Sequence, residues 1–507
     1  MTRYGFLIDQ DTCIGCHACT VACKAEHDVP LGVNRTWVKY IEKGTFPDAR
    51  RYYSVLRCNH CEHAPCVTIC PTGALFHRDN GIVDFDDSSC IGCKGCMNAC
   101  PYDAIYINPA TNTAHKCNYC AHRVEIGLEP SCVIVCPTQS IVAGDLDAAD
   151  SRLARLVGRN DVMVRTPEQG TKPKVFYKGA DAVALDPLRT KIAADGMIWA
   201  DTRPGHPTLP VAVDLGPEGA RTALTTQHPM PWTGKVSTYL VTKSMAAGAL
   251  MAAALLVLLG HGRNAVAVGV VPAAIAGLFL VLTGVFLVAD LKQPRRFHYL
   301  LTRGNPRSWL VRGAWILAAY AAVGVAWGVA GLIDAAGALE VLALPAVLLG
   351  AATAGYTAYL FGQCEGRDLW QTPLLLPILV TQAVVAGASL LLLSDLVVDL
   401  PAAESLRWAL LGGVAGIAVL TLAELTAHAT SHVELATAAM TRGKYAVRFW
   451  LGGVVLGLAV PGAAIVVTLA TGSAGVALGA VAGVAALVGQ AAYEDAFVRA
   501  GQSVPLS

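Results

Sequence analysis

The stretch CIGCHACTVAC, residues 13–23, places four cysteines at successive offsets of three, three and four residues. Of the 17 cysteines in the 507-residue chain, all but Cys364 lie between Cys13 and Cys136. They form four quartets in chain order: Cys13, Cys16, Cys19 and Cys23; Cys58, Cys61, Cys66 and Cys70; Cys90, Cys93, Cys96 and Cys100; and Cys117, Cys120, Cys132 and Cys136. The first and third quartets have the spacing C-x2-C-x2-C-x3-C, which is typical of iron–sulfur ligands in bacterial ferredoxins.

Two other uses of cysteine fit this spacing poorly. A disulfide framework is typical of small secreted chains, and nothing in the sequence indicates one. Structural zinc takes two cysteine pairs separated by a spacer, whereas C-x2-C-x2-C places three thiolates on one tight loop. Short β-type runs, GIVDFD (81–86) and AIYINP (104–109), flank the third quartet as in a ferredoxin-like repeat. We therefore expect the sixteen thiolates to hold four [4Fe–4S] clusters.

On these quartets, residues 1–150 resemble the four-cluster electron-transfer subunit of complex iron–sulfur molybdoenzymes, which include dimethyl sulfoxide reductase and polysulfide reductase. The resemblance implies an α+β double bacterial-ferredoxin-like fold in which the last cysteine of each quartet crosses over to another cluster. The implied ligand sets are Cys13, Cys16, Cys19 and Cys136; Cys117, Cys120, Cys132 and Cys23; Cys58, Cys61, Cys66 and Cys100; and Cys90, Cys93, Cys96 and Cys70.

The remainder of the chain is strongly apolar. Overall 54% of residues are hydrophobic and 15% are charged, whereas about a quarter are charged in soluble domains. Eight stretches are long enough to cross a bilayer: 236–260, 265–289, 310–333, 341–361, 373–394, 407–430, 449–470 and 474–493. They predict an all-α, eight-helix bundle over 235–507 that contacts membrane lipid. The formal net charge of +1 gives no support to nucleic-acid binding.

Residues 151–234 between these two regions lack cysteine and are rich in proline. We expect an amphipathic helix near 147–158, followed by a long and mostly extended connector. It is either a plain linker or a strap that lies along a partner subunit or the membrane surface.

The apolar half resembles the NrfD or polysulfide-reductase membrane-subunit family, an eight-helix quinone-binding anchor without haem. The residues behind the resemblance are DLKQPRRF (290–297), FWLGGVVLGLAVPG (449–462) and FVRAGQSVPLS (497–507). It implies that the ligand is menaquinone or ubiquinone and that Asp290 is among the polar residues of its site. No haem is expected, because His428 and His432 share one predicted helix and no facing ligand is evident.

Ionisable residues inside a membrane span are costly and mark candidate functional sites. Lys243 and Tyr239 lie early in the first predicted span, and Asp290 closes the second. Reduction of a quinone takes two electrons and two protons, so these three side chains are candidates for hydrogen bonding and proton delivery. The alternative is that Lys243 and Asp290 form a pair that only docks the extrinsic domain.

A second polar stripe is predicted in the sixth span, where Glu424, His428 and Ser431 or His432 recur at helical spacing. It is either a proton path into the bilayer or an interhelical hydrogen-bond network. Cys364, near the end of the fourth span, is expected to be a buried and inert thiol.

The loops predict the orientation of the chain in the cell membrane. Eight spans put both termini on one side, where the loops carry ten Lys or Arg residues, against Arg263 and Arg407 opposite. This bias, and an opening MTRYGFLIDQDTC without an export signal, predicts a cytoplasmic iron–sulfur domain.

Together these features predict a fused electron-transfer and membrane-anchor subunit of a quinone-linked oxidoreductase. Nothing in the sequence resembles a molybdopterin-binding domain, so substrate chemistry is expected on a molybdenum or tungsten bis-pterin partner chain. The rival interpretation is a redox-driven proton-translocating module of a larger respiratory complex. A scaffold whose clusters only stabilise the fold is a third.

Overall fold

The computed structural model describes residues 2–192, 218–226, 229–261, 266–400, 403–427, 430–472 and 475–507. The chain divides into two compact units. The first, called here the iron–sulfur unit, comprises residues 1–231 and the C-terminal residues 505–507. The second, the membrane unit, comprises residues 232–504.

The iron–sulfur unit combines short helices with small sheets. Its strands are β1 Tyr4–Asp9, β2 Thr36–Lys43, β3 Arg50–Arg57, β4 Leu75–His77, β5 Val83–Phe85, β6 Ile105–Asn108, β7 Thr113–Lys116, β8 Ile141–Asp145, β9 Val162–Met163, β10 Val175–Lys178, β11 Lys191–Ile192 and β12 Ala220–Leu224. Its helices are α1 Ala18–Glu26, α2 Pro65–Ile69, α3 Gly95–Ala99, α4 Ala121–Val124, α5 Ser131–Ile134, α6 Arg152–Arg159 and α7 Ala182–Leu185. The expected β-type runs at 81–86 and 104–109 contain β5 and β6.

Two four-stranded sheets and two hairpins organise this unit. The sheets have the strand orders β8-β1-β10-β9 and β11-β12-β2-β3, and the hairpins are β4-β5 and β6-β7. The central residues of β1 are buried, and Phe6 pairs with Ala143 on antiparallel β8 and with Val175 on parallel β10. The core beneath this sheet also contains Val38 and Tyr119.

The region predicted as a connector, 151–234, differs from the expectation in its described part. The helix expected near 147–158 is α6, and Ser151 caps its first turn by accepting from the Ala154 N–H. Beyond it, β10 pairs with β1 and β12 pairs with β2, so these segments complete the two sheets. The reason is that alternating apolar residues such as those of VFYK (175–178) can bury one face against a sheet. The part of the predicted linker or strap over 193–217 lies outside the described residues.

The membrane unit is helical. Its helices are α8 Gly234–Leu256, α9 Val271–Asp290, α10 Tyr299–Thr302, α11 Trp309–Leu332, α12 Ala336–Gly362, α13 Leu375–Ser394, α14 Ala403–Thr426, α15 Ser431–Thr441, α16 Val460–Thr471 and α17 Gly475–Gly501. Segments with π-helical hydrogen bonding extend α8 over Val257–His261 and precede α9 over Val266–Val270 and α16 over Arg448–Ala459.

Eight of these helices, with their π-helical extensions, are long and apolar enough to cross a membrane, counted over the described residues. This confirms the eight predicted spans, with two differences at their ends. The sixth helix stops at Thr426 instead of near residue 430, and the eighth continues to Gly501 instead of ending near 493. Close helix contacts involve glycine: a Cβ on Gly457 would lie 3.1 Å from the Cα of Gly489 on α17.

Candidate functional site

The cysteines of the iron–sulfur unit lie on loops that lead into short helices. Cys13 and Cys16 precede α1, which carries Cys19 and Cys23, and Cys90 and Cys93 precede α3 in the same way. His17 and Lys94, which start these two helices, both adopt a left-handed backbone conformation, with φ of 61° and 64°. The repeated turn directs successive cysteines of each loop toward a common space, as a cluster-binding loop requires.

Within each of the four ligand sets that the resemblance implied, thiols lie near one another. Cys13 is within electrostatic range of Cys136 and Cys16, and Cys23 of Cys117, Cys132 and Cys120. Cys66 has Cys100, Cys58 and Cys61 as neighbours, and Cys96 has Cys93, Cys90 and Cys70. Cys23, Cys70 and Cys100, the last cysteines of three quartets, thus lie near the first three of another quartet, and Cys136 lies near Cys13.

The spacing of these thiols bears on the kind of metal centre that they can hold. No three Cys, His, Asp or Glu side chains in the described ranges converge closely enough to hold a single metal ion. Cys70, Cys90, Cys93 and Cys96 instead line one common pocket. This arrangement disfavours zinc, whose ligands lie close around one ion, and it suits a bulkier iron–sulfur core.

Backbone amides point at several of these sulfur atoms. The N–H groups of His60, Leu75 and Gly92 donate to the Sγ atoms of Cys58, Cys70 and Cys90 at 3.5, 3.4 and 3.4 Å. Such donors stabilise thiolates and bound cluster sulfur. The residues present therefore fit iron–sulfur clusters.

The electrostatics of the thiols also favour a bound cation. Burial, together with the neighbouring thiols of Cys58 and Cys100, raises the pKa of Cys61 to about 12. Cys136 differs: burial raises its pKa, but backbone N–H groups of Ile141 and its neighbours outweigh burial and lower it. Crowded buried thiols are costly as anions unless iron neutralises them, so metal binding and folding are coupled here.

In the membrane unit, two of the predicted quinone-site residues lie side by side near the start of α8. Lys243 is fully buried, and its Nζ donates to the Ala354 carbonyl at 2.9 Å and to Thr357 Oγ1 at 2.5 Å. Tyr239 hydrogen-bonds the same Thr357 and lies within electrostatic range of Asp290, which is half-buried at the end of α9. The structure thus places Tyr239 near Lys243, one turn further along α8, and within range of Asp290 on α9.

Lys243 has an acidic neighbour that the sequence did not predict. Glu494 on α17 is 2% exposed, lies within electrostatic range of Lys243 and hydrogen-bonds Gln382 on α13. The predicted eighth span ended one residue before Glu494, so this carboxyl was not counted as intramembrane. A charge directly after an apolar stretch was the available signal.

Glu424 belongs to a second buried group. Tyr493 donates to Glu424 Oε2 at 3.1 Å, while Oε1 has no partner among the residues that the structure describes. Nearby, both amide atoms of Gln490 and Oε1 of Gln382 likewise lack described partners. Gln382, Gln490 and Tyr493 line a small pocket beside the π-helical segment Arg448–Ala459. A cavity with orphaned polar atoms is suited to ordered water.

The predicted stripe beyond Glu424 is not one continuous helical face. His428 lies outside the described residues. Ser431 and His432 belong to α15, a separate helix from α14. Thr430 caps α15, since its hydroxyl accepts from the Val433 N–H at 3.2 Å, and this cap starts a new helix where the prediction continued the old one. Cys364 is fully buried, as expected.

Comparison with known proteins assigns both regions. The polysulphide reductase NrfD model matches residues 223–505. This protein belongs to the NrfD family. Ahead of the NrfD domain, two 4Fe-4S dicluster domain models match residues 12–75 and 49–146. The predicted fusion of a ferredoxin-type iron–sulfur domain with an NrfD-type membrane domain is therefore confirmed, and the protein is a multi-pass membrane protein that carries iron–sulfur clusters.

Relatives of this NrfD-family protein are subunits of reductases. It is 41% identical to a tetrathionate reductase subunit of Salmonella typhimurium over 203 residues, 39% of this chain and 80% of that protein. It is 47% identical to the thiosulfate reductase electron transfer subunit PhsB of Salmonella typhi over 163 residues, 32% of this chain and 84% of PhsB. A polysulfide reductase subunit of Wolinella succinogenes is 38% identical over 179 residues, 34% of this chain and 93% of that protein.

Proposed function

We propose that this chain passes electrons between a molybdopterin-type catalytic subunit and the membrane quinone pool. The observation that carries the proposal is the proximity of cysteines from different quartets, in a chain that continues into eight apolar helices. When bound, each [4Fe–4S] cluster supplies one-electron transfer. The protein's own residues hold the clusters, tune them and anchor the chain in lipid.

The sixteen proposed ligands make a stoichiometric test possible. Purified protein should contain about sixteen irons per chain if four cubes are bound. Its reduced centres should be reoxidised when an excess of oxidised menaquinone or ubiquinone analogue is added. Iron well below this content, or centres that remain reduced beside oxidised quinone, would contradict the proposal.

We propose that the substrate is handled by a partner chain of the molybdenum or tungsten bis-pterin class. Supporting this, the relatives are named as subunits of tetrathionate, thiosulfate and polysulfide reductases, and the thiosulfate reductase subunit is named as an electron transfer subunit. Affinity purification of the native complex under mild detergent should recover a large chain that contains pterin and molybdenum or tungsten. Recovery of an active complex without such a chain would refute this part.

The quinone site is proposed at Tyr239, Lys243 and Asp290. A hydroxyl, an ammonium and a carboxyl close together near one end of the bundle can hydrogen-bond quinone carbonyls and exchange protons with them. Asp290→Asn should reduce quinone turnover at least tenfold while iron content is unchanged. Asp395→Asn, at the end of α13, is the matched control because it changes another helix-end carboxyl. Intact turnover in Asp290→Ala would favour the docking alternative instead.

A second candidate function is proton translocation, and the buried groups of α13, α14 and α17 favour it. The pairs Glu424–Tyr493, Gln382–Glu494 and Glu494–Lys243 join two carboxyls to the proposed quinone site through hydrogen bonds and electrostatic neighbours. In proteoliposomes, wild-type protein should acidify or alkalinise the lumen during quinone turnover, and Glu424→Gln should abolish this without abolishing electron transfer. Electron transfer that moves no net charge in the wild type would reject this function.

We propose that the iron–sulfur unit faces the cytoplasm and that no haem is bound. The ten-to-two bias of basic loop residues supports the orientation. Protease added to sealed inside-out vesicles should cleave the N-terminal region, and protection there would reverse the assignment. A pyridine haemochrome assay on the purified chain should be negative.

A further inference from the structure

Arg57 is an arginine buried among the proposed cluster ligands. It is the last residue of β3 and is 1% exposed. Its Nη1 donates to the Sγ of Cys132 at 3.1 Å, and its guanidinium carbon lies 4.6 Å from the centre of the Phe6 ring. The side chain is therefore fixed by a sulfur atom on one side and an aromatic face on another.

The charge of Arg57 has no carboxylate partner. It forms no ion pair with any aspartate or glutamate in the part of the chain that the structure describes, and its Nε and Nη2 lack hydrogen-bond acceptors there. An arginine remains protonated in proteins, and a buried cation without compensation is strongly destabilising. The negative groups within its electrostatic range are the thiols of Cys132, Cys117 and Cys19.

We propose that Arg57 is a positioning residue that raises the reduction potential of the cluster held by Cys23, Cys117, Cys120 and Cys132. The inference rests on the proposed function, because it requires that cluster. Reduction adds a negative charge to the cluster, and a fixed cation that also donates to a ligand sulfur stabilises the reduced form more than the oxidised one. The two unpartnered nitrogen atoms are available as further donors to cluster sulfur.

The set proposed for Cys70, Cys90, Cys93 and Cys96 has different neighbours, with Lys94 rather than Arg57 within electrostatic range of Cys93. Cys90 receives backbone N–H groups from Gly92 and Ala114, both at 3.4 Å, and Cys70 receives one from Leu75. These donors are dipoles without net charge. Replacement of Arg57 should therefore shift one cluster and leave the cluster proposed for Cys70, Cys90, Cys93 and Cys96 unchanged.

Redox titration of the holoprotein, followed by EPR, tests the proposal. Arg57→Gln should lower the reduction equilibrium constant of one cluster at least tenfold, which is about 59 mV for a one-electron couple. Arg57→Lys, which keeps the charge, should give a smaller shift. The matched control is Arg165→Gln, since Arg165 is equally buried but donates to the Leu185 and Leu506 carbonyls. Unchanged potentials in Arg57→Gln, or an equal shift in Arg165→Gln, would overturn the proposal.

If Arg57→Gln loses iron, a measurement on the unmutated Arg57 side chain still tests the proposal. Protein labelled with ¹⁵N-arginine should show a ¹⁵N hyperfine coupling to one reduced cluster in pulsed EPR, and Arg57→Lys should lose that coupling. Reduced clusters without any such coupling would also overturn the proposal. Protein that contains no clusters at all would instead refute the proposed function, so the two failures are distinguishable.

Discussion

The two units of the molecule both bury ionisable side chains, but they assemble them differently. In the iron–sulfur unit, thiols recur at short offsets on a loop, and neighbouring backbone N–H groups are supplied by the same turn. In the membrane unit, Lys243, Glu424 and Glu494 come singly from α8, α14 and α17. In the first unit most of the proposed ligands of each cluster come from one short stretch of sequence, whereas in the second the ionisable groups meet only through the packing of distant helices.

The largest expected effect comes from the proposed crossover, in which the last cysteine of one quartet completes the ligand set of another. Cys100→Ser should abolish one whole cluster, about four of the irons, because a cube that loses a thiolate ligand is labile. Since Cys100 lies beside Cys66 and Cys58, the spectrum of Cys100→Ser should match that of Cys66→Ser and differ from that of Cys96→Ser.

The control for this prediction is Cys364→Ser, which removes a buried thiol of the membrane unit. Its iron content and EPR spectrum should equal those of the wild type. A Cys100→Ser spectrum that matched the Cys96→Ser spectrum would show that each quartet binds its own cluster. The proposed crossover would then be refuted.

The same contrast explains what the sequence could predict. The quartet spacing and the apolar stretches are local patterns, so both the cluster-binding loops and the eight spans were predictable. Glu494 was missed because a hydropathy window ends at a charge, whereas the backbone hydrogen bonds of α17 continue to Gly501. Arg57 was missed because its contact with Cys132 joins positions 75 residues apart, which no local spacing encodes.

Buried charge in the iron–sulfur unit also predicts a pH dependence. Lys39 on β2 is 2% exposed, and burial, with Arg165 adding to it, lowers its pKa to about 7. The folded state therefore releases this proton more readily than the unfolded chain, whose lysine titrates near 10.4. Between these values the unfolded state binds more protons, so stability should rise as pH increases from 7 toward 10.

Lys39→Met should remove this dependence. The variant should resist thermal loss of the iron–sulfur absorbance better than wild type at pH 7, by a free energy on the order of 4 kcal/mol, and the difference should shrink toward pH 10. Lys43→Met is the control, because Lys43 on the same strand is partly exposed and paired with Asp181 at 3.0 Å. An equal pH trend in wild type and Lys39→Met would contradict the prediction.

Packing in the membrane unit can be tested at a helix crossing. A Cβ on Gly248 of α8 would overlap the Ala383 carbonyl and would lie 2.6 Å from the Gly387 nitrogen, both on α13. Gly248→Ala should destabilise the unit by about 1–3 kcal/mol, because overpacking forces the helices apart. Gly277→Ala on α9 is the matched control, since a Cβ at Gly277 would meet nothing within 4 Å. In thermal unfolding in detergent, Gly248→Ala should melt at a lower temperature than Gly277→Ala. Equal melting temperatures would contradict the close helix contact.

The smallest expected effect concerns the break between α14 and α15. The Thr430 hydroxyl accepts from the Val433 N–H at 3.2 Å and donates to Asp368 Oδ2 at 2.7 Å, so it both caps α15 and ties it to a neighbouring loop. Thr430→Ala should cost about 1 kcal/mol, as loss of an N-cap does, while Thr430→Ser should retain most of the stability. If Thr430→Ala were as stable as wild type in the same unfolding assay, the cap would not fix the start of α15. The sequence-based prediction of one continuous polar stripe from Glu424 to His432 would then have to be considered again.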